Sequence, residues 1–263
     1  MGNGHQLSHL PPVKFTRRVA LAVAAVAALA AQLPQFEVAS IRPSDPSGPH
    51  PGRFAPVPVD TSPGRLTARN ATLKELIMAA YALEDYQVSG GPGWITSARF
   101  DVEAKPSDSA NRDQLLLMLR PLLADRFQLA VYRETKDLAI YALELAKNAP
   151  KFHAFKPGAD AAPGQLNHFH PPNLPFLARF LTHLGSDKPV IDKTGLTGHF
   201  DLDLDMERIS GEASLLAGGT PTPENMFEAT TDAIQEELGL KLVATRAPVE
   251  ILVIDHAEKP SEN

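Results

Sequence analysis

The sequence predicts an α+β fold made of repeated helix-strand-strand units, with helices packed on one face of antiparallel or mixed sheets. Three observations lead there. The hydrophobic period changes from 3.6 to 2 within the single stretch from Asn111 to Lys147: Leu116, Leu119, Leu123 and Phe127 recur at helical spacing, then Leu129/Val131 and Ala139/Tyr141/Leu143/Leu145 alternate. The same order returns at Thr72–Lys105, Asn173–Met206 and Asn225–Lys259. The composition, 43% hydrophobic and 21% charged over 263 residues, is that of a chain able to bury a core.

Taken in order, the chain opens on Lys14-Phe-Thr-Arg-Arg18, an apolar run from Val19 to Ala31 and a small-residue Ala28-Leu29-Ala30 site. That is the grammar of a secretory signal peptide over residues 1–31, and the run is too short to cross a bilayer. The expected product is exported, periplasmic or extracellular, and free of the membrane after cleavage. With no cysteine it forms no disulfide, thiolate metal site or lipid anchor at a cleavage-site cysteine. A formal charge of −6 gives no cationic footprint for nucleic acid. Two halves are expected after the signal, 32–147 and 148–263.

Phe36–Arg42 alternates as a first strand, and the proline- and glycine-rich stretch Pro43–Pro63 reads as a loop. Thr72-Leu-Lys-Glu75 is a capping box ahead of a stripe of Leu73, Leu76, Ile77, Ala80 and Tyr81. Gly90-Gly91-Pro92-Gly93 precedes Trp94, the one tryptophan of the chain. Gly91, Gly93 and Trp94 form a candidate ligand platform, while a tryptophan closing the edge of the core explains the same residues. Pro121 predicts a kink or two short helices in the central unit, and Glu134–Asp137 a turn between two strands. Asn173-Leu-Pro175 opens the third helix, with Gly185 as its terminator.

From Phe200 to Met206 alternation predicts one strand, with His199, Asp201, Asp203 and Asp205 on its outer face. Such a row suits calcium or acid/base chemistry if a second segment converges on it, and a solvated edge strand if none does. His168-Phe-His170 would set two imidazoles on one side of an extended segment, too few ligands for a metal by themselves. Asp192-Lys-Thr-Gly195 resembles phosphorylation and penicillin-recognising motifs over too few residues, and a tight turn accounts for it. No nucleophile-elbow, zinc-peptidase, Walker or dinucleotide motif occurs, and no cofactor is expected.

The segments Phe36–Pro43, Ser89–Trp94, Leu123–Phe127, Arg133–Lys136, Val190–Gly198 and Ile254–Asn263 resemble the signature segments of the soil-associated protein family, an exported bacterial family with a domain of unknown function. Related domains there are fused behind membrane peptidases of the beta-lactam-sensor type. The resemblance implies an extracytoplasmic binding or sensing role and supplies no catalytic residue. The expected function is therefore a non-catalytic binding or interaction module whose partner is a small molecule, a glycan or a protein. A hydrolase or calcium-dependent enzyme using residues 199–205, and a small oligomerising periplasmic domain, are the alternatives.

Overall fold

The computed structural model describes residues 35–45, 59–62, 64–147, 150–155 and 168–260. The expected signal peptide lies outside them. Five helices and twelve strands form antiparallel and mixed sheets, so the α+β class holds. The chain makes two compact units that interleave in sequence: the first takes residues up to Glu84, Gly90–Val131 and Ile254 onward, the second Asp85–Ser89 and Tyr132–Val253.

The first unit is built on an antiparallel sheet of β1 (Phe36–Pro43), β5 (Arg99–Pro106), β3 (Arg65–Thr72) and β2 (Val59–Ser62), in that order. Strand β2 falls inside the stretch expected to be loop; four residues between turn-forming neighbours give too little period to be seen in sequence. In β5, Phe100, Val102 and Ala104 are buried while Glu103 and Lys105 face water, the alternation its sequence carries. Helix α1 (Leu73–Tyr81) starts at the expected capping box: the Thr72 hydroxyl accepts from the Glu75 N–H at 3.2 Å, and the Glu75 carboxylate accepts from the Thr72 N–H at 2.7 Å.

Helix α2 (Arg112–Arg126) packs on α1 and buries Leu115, Met118, Leu119 and Leu123. Leu115, rather than the expected Leu116, faces the core. The helix also runs unbroken through Pro121, without the expected split into two. The carbonyl that Pro121 leaves without its helical donor is that of Leu117, whose side chain is 40% exposed, so water can reach it and the helix tolerates the proline.

In the second unit the sheet order is β4 (Val88–Gly90), β12 (Leu240–His256), β6 (Ala130–Leu145) and β9 (Val190–Asp192). Here the expected turn is absent. Glu134–Asp137 lies inside the continuous strand β6 of 16 residues, and its partner β12 runs unbroken for 17 through Arg246–Pro248. Their polar side chains pair across the two strands: Arg133 with Glu250, Arg246 with Asp137 at 2.6 Å, and Lys241 with Glu144 at 3.2 Å. As the β6 number rises its β12 partner's falls, so the two strands are antiparallel. A run of charges that reads as a turn in one strand is half of a ladder once the second strand is present.

One face of β6 carries Tyr141, Leu143 and Leu145 to a core shared with α3 (Leu174–Leu184), α4 (Met206–Ala217), α5 (Pro223–Ala233) and the π-helical turn Ile234–Leu238. The other face sends Ile140 and Ala142 to a smaller cluster with Val249 and Ile251. Asn173 caps α3, accepting from the Phe176 N–H at 2.8 Å, and Gly185 ends it at φ 137°. A Cβ on Gly185 would stand 2.3 Å from the Pro223 carbonyl oxygen, so only glycine fits. Helix α4 has no counterpart in the expected elements. Asp205 starts it by accepting from the Glu207 and Arg208 N–H groups, both at 3.0 Å, and Gly218 ends it at φ 63°.

Candidate functional sites

The expected acidic row does not form on a single strand. Residues 200–205 make two two-residue strands, β10 (Phe200–Asp201) and β11 (Leu204–Asp205), and the chain turns helical at Met206. Leu202 and Leu204 point inward as alternation requires, but the four polar residues separate. Asp201 lies opposite His153 of β7 (His153–Ala154). His199 is exposed and its carbonyl accepts from the Phe155 N–H at 3.0 Å. Asp205 is engaged at the helix start, and the Arg208 amide above all holds its carboxyl below the ordinary carboxylate range.

Asp203 meets the two histidines. Strand β8 (His168–Phe169) pairs with β11 so that His168 stands opposite Asp205, and this register lays both imidazoles beside Asp203. His168 Nδ1 is 2.5 Å from Asp203 Oδ1, and His170 Nδ1 is 3.7 Å from the same oxygen. The hydrogen bond to Asp203 is the chief reason the His168 pKa is raised. The two rings stack with centroids 6.1 Å apart and planes at 20°, both Nδ1 atoms turned to the same Asp203 oxygen. Among the described residues no group of three His, Cys, Asp or Glu side chains is placed to hold a metal ion. Both segments are visible in the sequence; the pairing of β8 with β11 that joins them is not.

A carboxylate-oriented imidazole is also the base half of a hydrolytic site. Here it has no nucleophile: among the described residues His168 forms no hydrogen bond with a serine or threonine hydroxyl. The Asp192-Lys-Thr-Gly195 segment is a side-chain-closed turn, with Asp192 Oδ1 accepting from the Thr194 N–H at 2.9 Å and from its hydroxyl at 2.7 Å.

In the first unit, Trp94 stacks on Phe127 at 6.3 Å and 21°, and Phe100 stands edge-on to both rings. This is the edge-of-core arrangement for the tryptophan. Gly91, at φ 77°, is shaped by packing, because a Cβ there would lie 3.0 Å from Ile254 and Ile95. A Cβ on Gly93 would meet nothing within 4 Å.

An open cleft of about 350 Å³ lies in the same unit, lined by Ile41, Asp125, Arg126, Gln128, Glu258, Lys259 and Pro260. Its walls come from three segments distant in sequence: Ile41 of β1, the stretch from Asp125 to Gln128, and Glu258–Pro260. The Glu258 N–H donates to the Phe127 carbonyl at 2.7 Å and holds the late segment in place. Arg126 lies 3.4 Å from Asp125, and Glu258 accepts from His256 at 3.0 Å. Lys259 has no ion-pair partner among the described residues. Gln128, just past the end of α2, holds φ 48° and donates from Nε2 to the Asp125 carbonyl at 2.7 Å. Six of its seven lining residues fall in segments that carry the family resemblance, but only the fold shows that those segments meet.

Two comparisons returned nothing: no curated protein and no solved structure matches the chain. A family model described as a protein of unknown function (DUF3738) matches residues 74–257, from the first turn of α1 to the end of β12. The match spans most of the described sheet and helix framework, and the chain belongs to that family.

Proposed function

We propose that the protein is an exported, non-catalytic binding module that holds a small polar ligand in the cleft between the end of α2 and residues 258–260. Export is supported by the basic start and short apolar run before Ala31. Cations and anions both line the cleft, with a carboxamide between them, so the matching ligand offers several hydrogen-bonding groups and little apolar surface.

The observation that carries this reading is the place of the Gln128 carboxamide. Gln128 follows the end of α2 at φ 48°, where a Cβ is strained, as it is for Ala82 at the end of α1. Unlike alanine, glutamine sets a hydrogen-bonding group at the cleft wall, where a polar ligand can meet it.

The test is a thermal-shift screen of the exported protein against sugars, amino acids and short peptides, repeated with Gln128→Gly and Lys259→Ala. A ligand at about 100 times its Kd stabilises the wild type by about 2.7 kcal/mol. Gln128→Gly keeps the free protein within about 1 kcal/mol of wild type while removing the ligand shift. The proposal fails if no polar ligand raises Tm at saturation, or if both variants respond as the wild type does.

A further inference from the structure

Among the described residues the outer edge of β6 is open over Tyr132–Leu138. Strand β9 covers only Tyr141–Leu143 of it, and among the described residues no strand lies along Tyr132–Leu138. These residues are exposed on both faces of the strand apart from the half-buried Leu138, and Tyr132 is 50% exposed. Unpaired edges with this reach join other strands unless something prevents it, and interspersed charges are the usual preventive. On β6 the order of the charges does the opposite.

The segment reads Tyr132-Arg133-Glu134-Thr135-Lys136-Asp137-Leu138. Turned end for end about Thr135, it is complementary to itself: Arg133 falls opposite Asp137, Glu134 opposite Lys136, and Tyr132 opposite Leu138. We propose that β6 is a homodimerisation edge, pairing antiparallel with β6 of a second copy about a two-fold axis through Thr135.

Backbone direction supports the same register. The Tyr141 N–H donates to the Pro189 carbonyl and the Leu143 carbonyl accepts from the Lys193 N–H, each at 2.9 Å, so these residues turn their peptide groups to the outer edge. Alternation along the strand gives the same outward direction to Thr135, Arg133 and the Asp137 N–H, while the Asp137 carbonyl also accepts from the Arg246 guanidinium at 2.6 Å. Those are the residues that become hydrogen-bonded pairs when Thr135 meets Thr135 of the second copy. The charges also continue a pattern already inside each chain. Arg133 pairs with Glu250 and Asp137 with Arg246 across β12. Dimerisation extends this to a four-strand ladder of Glu250, Arg133, then Asp137 and Arg246 of the second copy, alternating in sign throughout. The contact is one strand wide, which places it among small, weak interfaces.

The test uses the opposite face of β6, whose charges do not touch β12. Glu134 and Lys136 lie 3.5 Å apart within the strand. Sedimentation of the wild type from about 1 μM to about 1 mM covers the affinities such an interface allows, and a monomer–dimer equilibrium is expected within it. Glu134→Lys sets two lysines against each other at both symmetric positions and weakens the dimer about tenfold or more. The double exchange Glu134→Lys with Lys136→Glu restores the complement and returns association to the wild-type range. Thr135→Pro removes an outward N–H, which an edge position tolerates, and leaves a folded monomer by circular dichroism. A wild type that stays monomeric throughout, or a double exchange no better than the single, overturns the proposal and leaves the charges as protection of the edge.

Discussion

Phe127 joins the end of α2 to the aromatic cluster, and its removal is the most informative change in the first unit. The side chain is fully buried, stacks on Trp94 and stands 5.1 Å from Phe100 at 83°. Phe127→Ala deletes the ring and leaves a cavity, at about 3–5 kcal/mol for a buried phenylalanine. Phe127→Leu keeps most of the apolar volume but loses the ring contacts, each worth about 0.5–1.5 kcal/mol, so about 1–2 kcal/mol is expected. The backbone bond from Glu258 to the Phe127 carbonyl survives both changes. Because Trp94 is the only tryptophan and lies against the mutated ring, urea unfolding followed by its fluorescence reads the affected unit directly. Both variants also shift the native emission, since the indole loses a stacking neighbour. A Phe127→Ala cost below about 1 kcal/mol, with native emission unchanged, would refute the packing described here.

Gly185→Ala forces a Cβ against the Pro223 carbonyl in a backbone conformation closed to alanine, so a loss of about 2–4 kcal/mol is expected by thermal unfolding. Pro121→Ala restores a helical hydrogen bond to Leu117 and raises Tm, because alanine is favoured over proline by about 3 kcal/mol in a helix interior. His168 titrates above 6.5 by NMR, and Asp203→Asn moves its midpoint down. Since the folded value is the raised one, its contribution to stability is complete below the unfolded pKa and disappears as pH rises through the folded pKa. A wild-type midpoint at or below 6.5 would contradict the short contact with Asp203.

The parts of the fold written in local chemistry were legible. The capping box at Thr72, the alternation of β5, the start of α3 at Asn173 and the glycine stop at 185 each depend on neighbours in sequence, and each stands where expected. Where the fold departs from expectation, the cause is either a partner far along the chain or one local signal overlying another. Arg133–Asp137 looks like a turn until β12 supplies Glu250 and Arg246. Phe200–Met206 alternates like one strand, yet Asp205 spends its carboxylate on the first amides of α4. The signal for that helix was present in Asp205, Ile209, Ala213 and Gly218, spaced as a cap, a buried stripe and a stop. Period two over the preceding residues concealed it. Among the site candidates, Trp94 and the acidic residues drew notice by type, whereas the cleft of Gln128 and Lys259 consists of ordinary residues that only tertiary structure assembles.

The interleaving of the two units bears on how the polypeptide matures. Ile254 abuts Gly91, and the Glu258 amide reaches back to Phe127, so the first unit stays incomplete until residues 254–258 have been synthesised. At a synthesis rate of about 5–20 residues per second, the first sheet remains unsealed for many seconds after its strands exist.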